Sequence, residues 1–137
     1  MLEYNKLLNM AYARRRFLAR ILIIDDNEGV RDVLQQMLEQ SGYEVEQASN
    51  GYEGVRLFKE KVPDLVITDI IMPGMDGVET IMELRLQAPD VKVIAISGGD
   101  HIAPESYLKV IKNLGTICEL KKPINREELL YAVRDLI

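Results

Sequence analysis

Four short stretches of the chain put reactive side chains where apolar runs end. Asp25-Asp26 follow ILII, Asp69 closes LVIT, Ser97-Gly98 follow VIAI, and Lys122 stands before Pro123 just after TICEL. Carboxylates gathered at close range repel one another and resist ionisation unless positive charge sits among them. A hard divalent cation is the obvious partner. Mg²⁺ takes oxygen ligands, keeps several waters and binds through one or two carboxylates plus phosphate, which suits so sparse an acidic set. Beside such a cation one carboxylate oxygen can attack phosphorus and form an aspartyl phosphate. Asp69 is best placed for this. In ITDIIMPGMDG, Pro73 fixes its own φ, biases Met72 away from the helical region, and is followed by Gly74, which tolerates a left-handed backbone. The strand must therefore stop and turn, leaving Asp69 at its C-terminal lip. Lys122, Ser97 and amides near Gly98 would supply the positive charge and donors that a phosphoryl group in transfer requires.

The elements that must hold these residues alternate. Extended apolar runs near 21–25, 43–48, 64–69, 91–96 and 116–120 are separated by segments of helical period, the rhythm of repeated strand-helix units around a parallel sheet. The first, third and fourth runs are nearly unbroken Ile/Leu/Val, as expected of central strands covered on both faces. Val30, Val33, Leu34, Met37 and Leu38 make one helical stripe, with Asn27 as its cap and Gly42 just past its end. The last helix begins after Asn125, with Glu128 three residues on in the manner of a capping box. Helices are also expected over roughly 51–61, 77–87 and 103–113. In an open sheet of this kind ligands collect beyond the C-terminal ends of the strands, where the four stretches lie.

Composition narrows the function further. The chain has 137 residues, enough for one domain with a real core and too few for two. Its net charge of −5 hides an asymmetry: residues 1–20 hold five Lys/Arg against one Glu, leaving 12 − 21 = −9 for the remainder. An acidic body argues against nucleic acid as the main partner. The single cysteine, Cys118, excludes an intrachain disulfide and any multi-Cys zinc site. Its place in an apolar run reads as core. No apolar run approaches membrane-spanning length, and the leader has its charges after its hydrophobic residues, the reverse of a secretory signal. The expected location is cytoplasmic, and no transmembrane segment is expected. His101 lacks neighbours at ligand spacing and is left out of the site.

Taken together, the DD pair at 25–26, the ITDIIMPGMDG block, Ser97-Gly98 and Lys122-Pro123 resemble the receiver domain of two-component response regulators, in particular the stand-alone, chemotaxis-regulator-like kind. The resemblance covers about residues 20–137, leaving 1–19 as a leader that is either helical or foreign to the domain. It implies an α/β, flavodoxin-like fold, a single doubly wound (βα)5 domain whose five parallel strands run in the order 2-1-3-4-5. It implies that Asp69 accepts phosphate from a sensor histidine kinase or a histidine phosphotransfer protein. Asp26 would bind Mg²⁺ directly, Asp25 through water, and the backbone carbonyl of Ile71 would be a further ligand beside Asp69. Ser97 would move onto the phosphoryl group and Lys122 would pair with its oxygens. A cis peptide is expected before Pro123. The protein would be a phosphoacceptor that assists its own phosphorylation and dephosphorylation, not an enzyme with a separate substrate. Its signal would leave through a downstream target protein or through a second copy in a homodimer.

Two features depart from the family pattern. Receivers commonly carry an aromatic residue three positions before the site lysine, and Glu119 stands there. Its carboxylate is expected to reach solvent or a basic group. The leader is the other departure, with Tyr4, Leu7, Leu8, Ala11 and Tyr12 at helical spacing and an Arg14-Arg15-Arg16 run. Two other classes of function stay open at this point. One is a Mg²⁺-dependent phosphatase or phosphotransferase that also forms an aspartyl phosphate. Against it, such enzymes place their nucleophile in a D-x-D motif, where this chain has Asp25-Asp26-Asn27. The other is a binding module, either a degenerate receiver acting only through its surface or a flavin binder; a flavin phosphate would want a Ser/Thr/Gly-rich loop where DDNEGV is acidic.

Overall fold

The computed structural model describes residues 3–7, 19–98, 104–115 and 118–137. Expectations placed on Leu8 to Arg16, Gly99, His101 and the start of the fifth strand at 116 lie outside the described residues. Residues 3–7 are helical and exposed.

Among the described residues from 20 onward, five strands and five helices alternate. The strands are β1 (Arg20–Ile24), β2 (Glu44–Ala48), β3 (Leu65–Asp69), β4 (Val93–Ser97) and β5 (Cys118–Lys121). The helices are α1 (Glu28–Gln40), α2 (Gly51–Glu60), α3 (Gly77–Gln87), α4 (Glu105–Asn113) and α5 (Arg126–Leu136). All strand pairs are parallel, and the order is β2-β1-β3-β4-β5, so the three apolar runs are the interior strands. The doubly wound, flavodoxin-like fold is the one expected.

The period-2 alternation of each strand divides the core in two. Ile21, Ile23, Leu65, Ile67, Ile94 and Ile96 point to one face, where they pack with Leu34 and Leu38 of α1 and Leu129 and Val133 of α5. Leu22, Ile24, Val66, Val93 and Ala95 point to the other, against Phe58 of α2, Ile81 and Leu84 of α3, and Ile111 of α4. Each fully buried Ile, Leu or Phe contributes ~1.5–3 kcal/mol by leaving water. Every residue of β3 and β4 is buried, which holds the ends of these strands rigidly at the rim.

Helix starts follow the expected caps. Asn27 Oδ1 accepts from Val30 N at 3.0 Å, and Asn125 Oδ1 from Glu128 N at 3.1 Å. Strand ends moved slightly. β1 begins at Arg20, whose backbone N–H is held by Asp64 Oδ2 at 2.8 Å while its guanidinium meets Glu46 at 2.8 Å. β4 begins at Val93 and not Val91, because Val91 N donates to Ala88 O at 3.0 Å and closes a turn instead.

Candidate functional site

β1 and β3 are neighbours, so their C-terminal ends deliver Asp25 and Asp69 side by side. Asp25 continues the ladder past β1, its N–H donating to Ala48 O at 3.1 Å. Its Oδ1 accepts from Asn27 N at 2.8 Å, a local turn that aims the carboxylate inward. Asp26 is exposed at the mouth. Asp69, the last residue of β3, is only 2% exposed. Carboxylate oxygens of Asp25, Asp26 and Asp69 all lie within 4.8 Å of one another.

Lys122 reaches this group from beyond β5. Its Nζ stands 3.0 Å from Asp25 Oδ2 and 3.3 Å from Asp69 Oδ2. Its N–H donates to Ser97 O at 2.8 Å, which ties the lysine to the end of β4, and the Lys122-Pro123 peptide is cis as expected. Ile71 lies two residues past Asp69, half-buried in the turn. Gly74 takes the left-handed backbone at φ 76°, and Met72 beside it is buried.

Burial, and next to it the charge of Asp25, pushes the Asp69 carboxyl up to about 6, with the Lys122 ammonium working against both. For Lys122, burial pulls downward, but its contacts with Asp25 and Asp69 prevail and hold it above its ordinary value. So Lys122 stays charged, yet it does not fully neutralise the carboxylates. Asp25 Oδ2 is buried and meets the Lys122 ammonium at 3.0 Å. An all-oxygen donor set fits a hard divalent cation and would suit Zn²⁺ or a soft metal poorly.

Three features of the site escaped the sequence. Arg31 Nη1 donates to Asp25 O at 2.8 Å and its Nε to Gln47 Oε1 at 3.0 Å, bracing the Asp25 backbone from α1. Its position one turn into a helix carries no signal of this. Gly77 at the start of α3 lies against the end of β3: its N–H donates to Ile70 O at 2.7 Å, and a Cβ there would sit 2.3 Å from Asp69 O. A residue larger than glycine would displace the Asp69 backbone. The third is the partner of Glu119: half-buried, its Oε1 accepts from Ser97 Oγ at 3.0 Å, a contact the sequence did not suggest. It lies in β5 on the same sheet face as Ser97, which brings the hydroxyl within reach.

The class these features define is a doubly wound domain with an acidic cleft at its strand ends and a lysine opposite it. Residues 21–134 match the family profile described as the response regulator receiver domain, and the chain belongs to that family. Among its relatives is sporulation initiation phosphotransferase F of Bacillus subtilis, 30% identical over 84% of this chain and 90% of that protein. Response regulator MprA of a Mycobacterium species is 35% identical over 86% of this chain, which spans only 50% of MprA. Among solved structures, chemotaxis protein CheY4 of Vibrio cholerae superposes with a TM-score of 0.80 at 27% identity, covering 88% of this chain and 99% of that one. Response regulator TrrA of Thermotoga maritima, solved in complex with Mg²⁺-BeF, gives 0.76 at 33% identity, covering 88% and 100%.

Proposed function

We propose that Asp69 accepts a phosphoryl group from the phosphohistidine of a sensor kinase or histidine phosphotransfer protein, and that the resulting change in the receiver surface is read by a partner. A carboxylate oxygen of Asp69 bonds to phosphorus, the phosphorus-nitrogen bond breaks, and the imidazole leaves with the bonding pair. The observation that carries this reading is the buried Asp69 carboxylate, within 4.8 Å of two others and 3.3 Å from Lys122 Nζ. Lys122 orients the nucleophile before transfer and neutralises phosphoryl oxygen after it. Asp25, Asp26, Asp69 and the carbonyl of Ile71 are the groups that would hold Mg²⁺, which supplies charge neutralisation at the phosphoryl oxygens when bound. The Mg²⁺-BeF complex of TrrA supports that choice of metal.

The chain would act as a phosphoacceptor promoting its own phosphorylation and dephosphorylation, in the cytoplasm, with a target protein, a phosphotransfer partner or a second copy as the recipient of the signal. The phosphotransferase named among its relatives favours a relay. A dianionic phosphoryl group in place of the Asp69 carboxylate, a net gain of about one negative charge with new acceptor oxygens, is a sufficient local cause for a population shift. Acyl phosphate with Mg²⁺ should add one phosphoryl mass to the intact protein and none to Asp69→Asn. Label persisting in the variant, or steady turnover of an added phosphomonoester, would refute the proposal in favour of another acceptor or an enzyme.

A further inference from the structure

We infer that Glu119 is a positioning residue that withholds the Ser97 hydroxyl from the phosphoryl group, so that phosphate on Asp69 and the Glu119 carboxylate compete for one hydrogen. The inference rests on the reading of Asp69 as phosphoacceptor. In the β4–β5 register Ala95 faces Glu119 and Ser97 faces Lys121. Side chains two apart share a face, so Ser97, Ala95 and Glu119 stand together on the side of the sheet covered by α2, α3 and α4. This diagonal placement gives the 3.0 Å bond from Ser97 Oγ to Glu119 Oε1.

A serine hydroxyl carries one hydrogen. While it points at Glu119, only lone pairs remain for any other neighbour, and lone pairs repel an arriving phosphoryl oxygen. To donate to that oxygen Ser97 must give up Glu119. A bond to an ionised acceptor is roughly twice as strong as a neutral one, so giving it up opposes the phosphorylated state. Ser97 is only 9% exposed, which leaves little room for water to replace either partner. A phenylalanine at position 119 could offer no acceptor to the hydroxyl. Glu119 therefore sets how readily the phosphorylated state forms, and reports that state by losing its donor.

The test uses the full chain with Mg²⁺ and beryllofluoride, a phosphoryl mimic, its dissociation constant read by calorimetry. Glu119→Ala frees the hydroxyl and should tighten binding about tenfold, the worth of one hydrogen bond to a charged acceptor. Glu119→Gln keeps a neutral acceptor at the same reach and should fall between wild type and Glu119→Ala. In a Ser97→Ala background, Glu119→Ala should change the constant by less than about twofold, because the group it restrains is gone. Unchanged or weaker binding in both Glu119 variants overturns the inference. So does equal tightening in the Ser97→Ala background, since repulsion through space would then suffice. Should Glu119→Ala fail to fold by thermal melt, Glu119→Gln with and without Ser97 carries the same decision. A wild type that neither binds beryllofluoride nor takes label from acyl phosphate would overturn the phosphoacceptor reading first, and this inference with it.

Discussion

Replacing Asp69 by Asn should stabilise the metal-free protein at pH 7.5. In the folded protein the Asp69 carboxyl is pushed from 3.8 to about 6, chiefly by burial and then by the charge of Asp25. A raised carboxyl favours the folded state only while it is protonated. That contribution is complete below the unfolded value of 3.8, falls as pH rises, and is gone above about 6. At pH 7.5 the folded protein thus carries an ionised group that the unfolded chain would hold at less cost. The shift corresponds to at most ~3 kcal/mol, and roughly half of that after allowing for water at the open mouth beside Asp26. Asn fills the same volume without ionising, and Lys122 keeps its 3.0 Å contact with Asp25, so the ammonium is not stranded. The expected gain is ~1–2 kcal/mol, or about 4–8 °C in Tm for a domain of this size. Thermal melts of both proteins in chelator from pH 7.5 to 4.5 provide the assay. Carboxylates away from the site titrate alike in both proteins and cancel, so the gap between the curves reports Asp69 with its coupling to Asp25 and Lys122, and should shrink by about two-thirds at pH 4.5. An Asn variant that is less stable at pH 7.5, or a gap indifferent to pH, would refute the electrostatic account of the site.

Lys122→Gln should act in the opposite sense, leaving Asp25 and Asp69 buried without their cation; a loss of ~2–4 kcal/mol at pH 7.5, smaller at pH 5, is expected from chemical denaturation. Gly77→Ala should cost ~1–3 kcal/mol because its Cβ would stand 2.3 Å from Asp69 O, and it should slow acyl phosphate labelling; a stable, fully labelled variant would show the α3 start to be compliant. Mg²⁺ at a hundred times its Kd should raise wild-type stability by ~2.7 kcal/mol and raise that of Asp69→Asn by clearly less, as read from melts with and without metal.

Much of this architecture is legible because parallel interior strands are covered on both faces and so appear as unbroken apolar runs; Leu65–Asp69 is buried throughout. The same physics exposes the site, since an Asp closing such a run has no packing reason to be there. What stays hidden depends on register and backbone approach. The Ser97 to Glu119 bond joins residues 22 apart and exists only because Ala95 and Glu119 are paired across β4 and β5. Gly77 reads in sequence as a helix start, whereas the lack of room for a Cβ beside Asp69 O arises only from the docking of the α3 start against the end of β3. Arg31 is one of several charged residues on α1 until the fold brings its guanidinium to Asp25 O. The β4 boundary shifted because Val91, apolar like the strand that follows, spends its N–H on a turn.

The central claim is tested most directly by trapping the modified residue. After treatment with acyl phosphate and Mg²⁺, borohydride reduction converts an aspartyl phosphate to homoserine, and peptide mass spectrometry locates it. The account predicts homoserine at position 69 and an unmodified Asp25 and Asp26. Homoserine at another position, or none in a protein shown to carry the label, would contradict it.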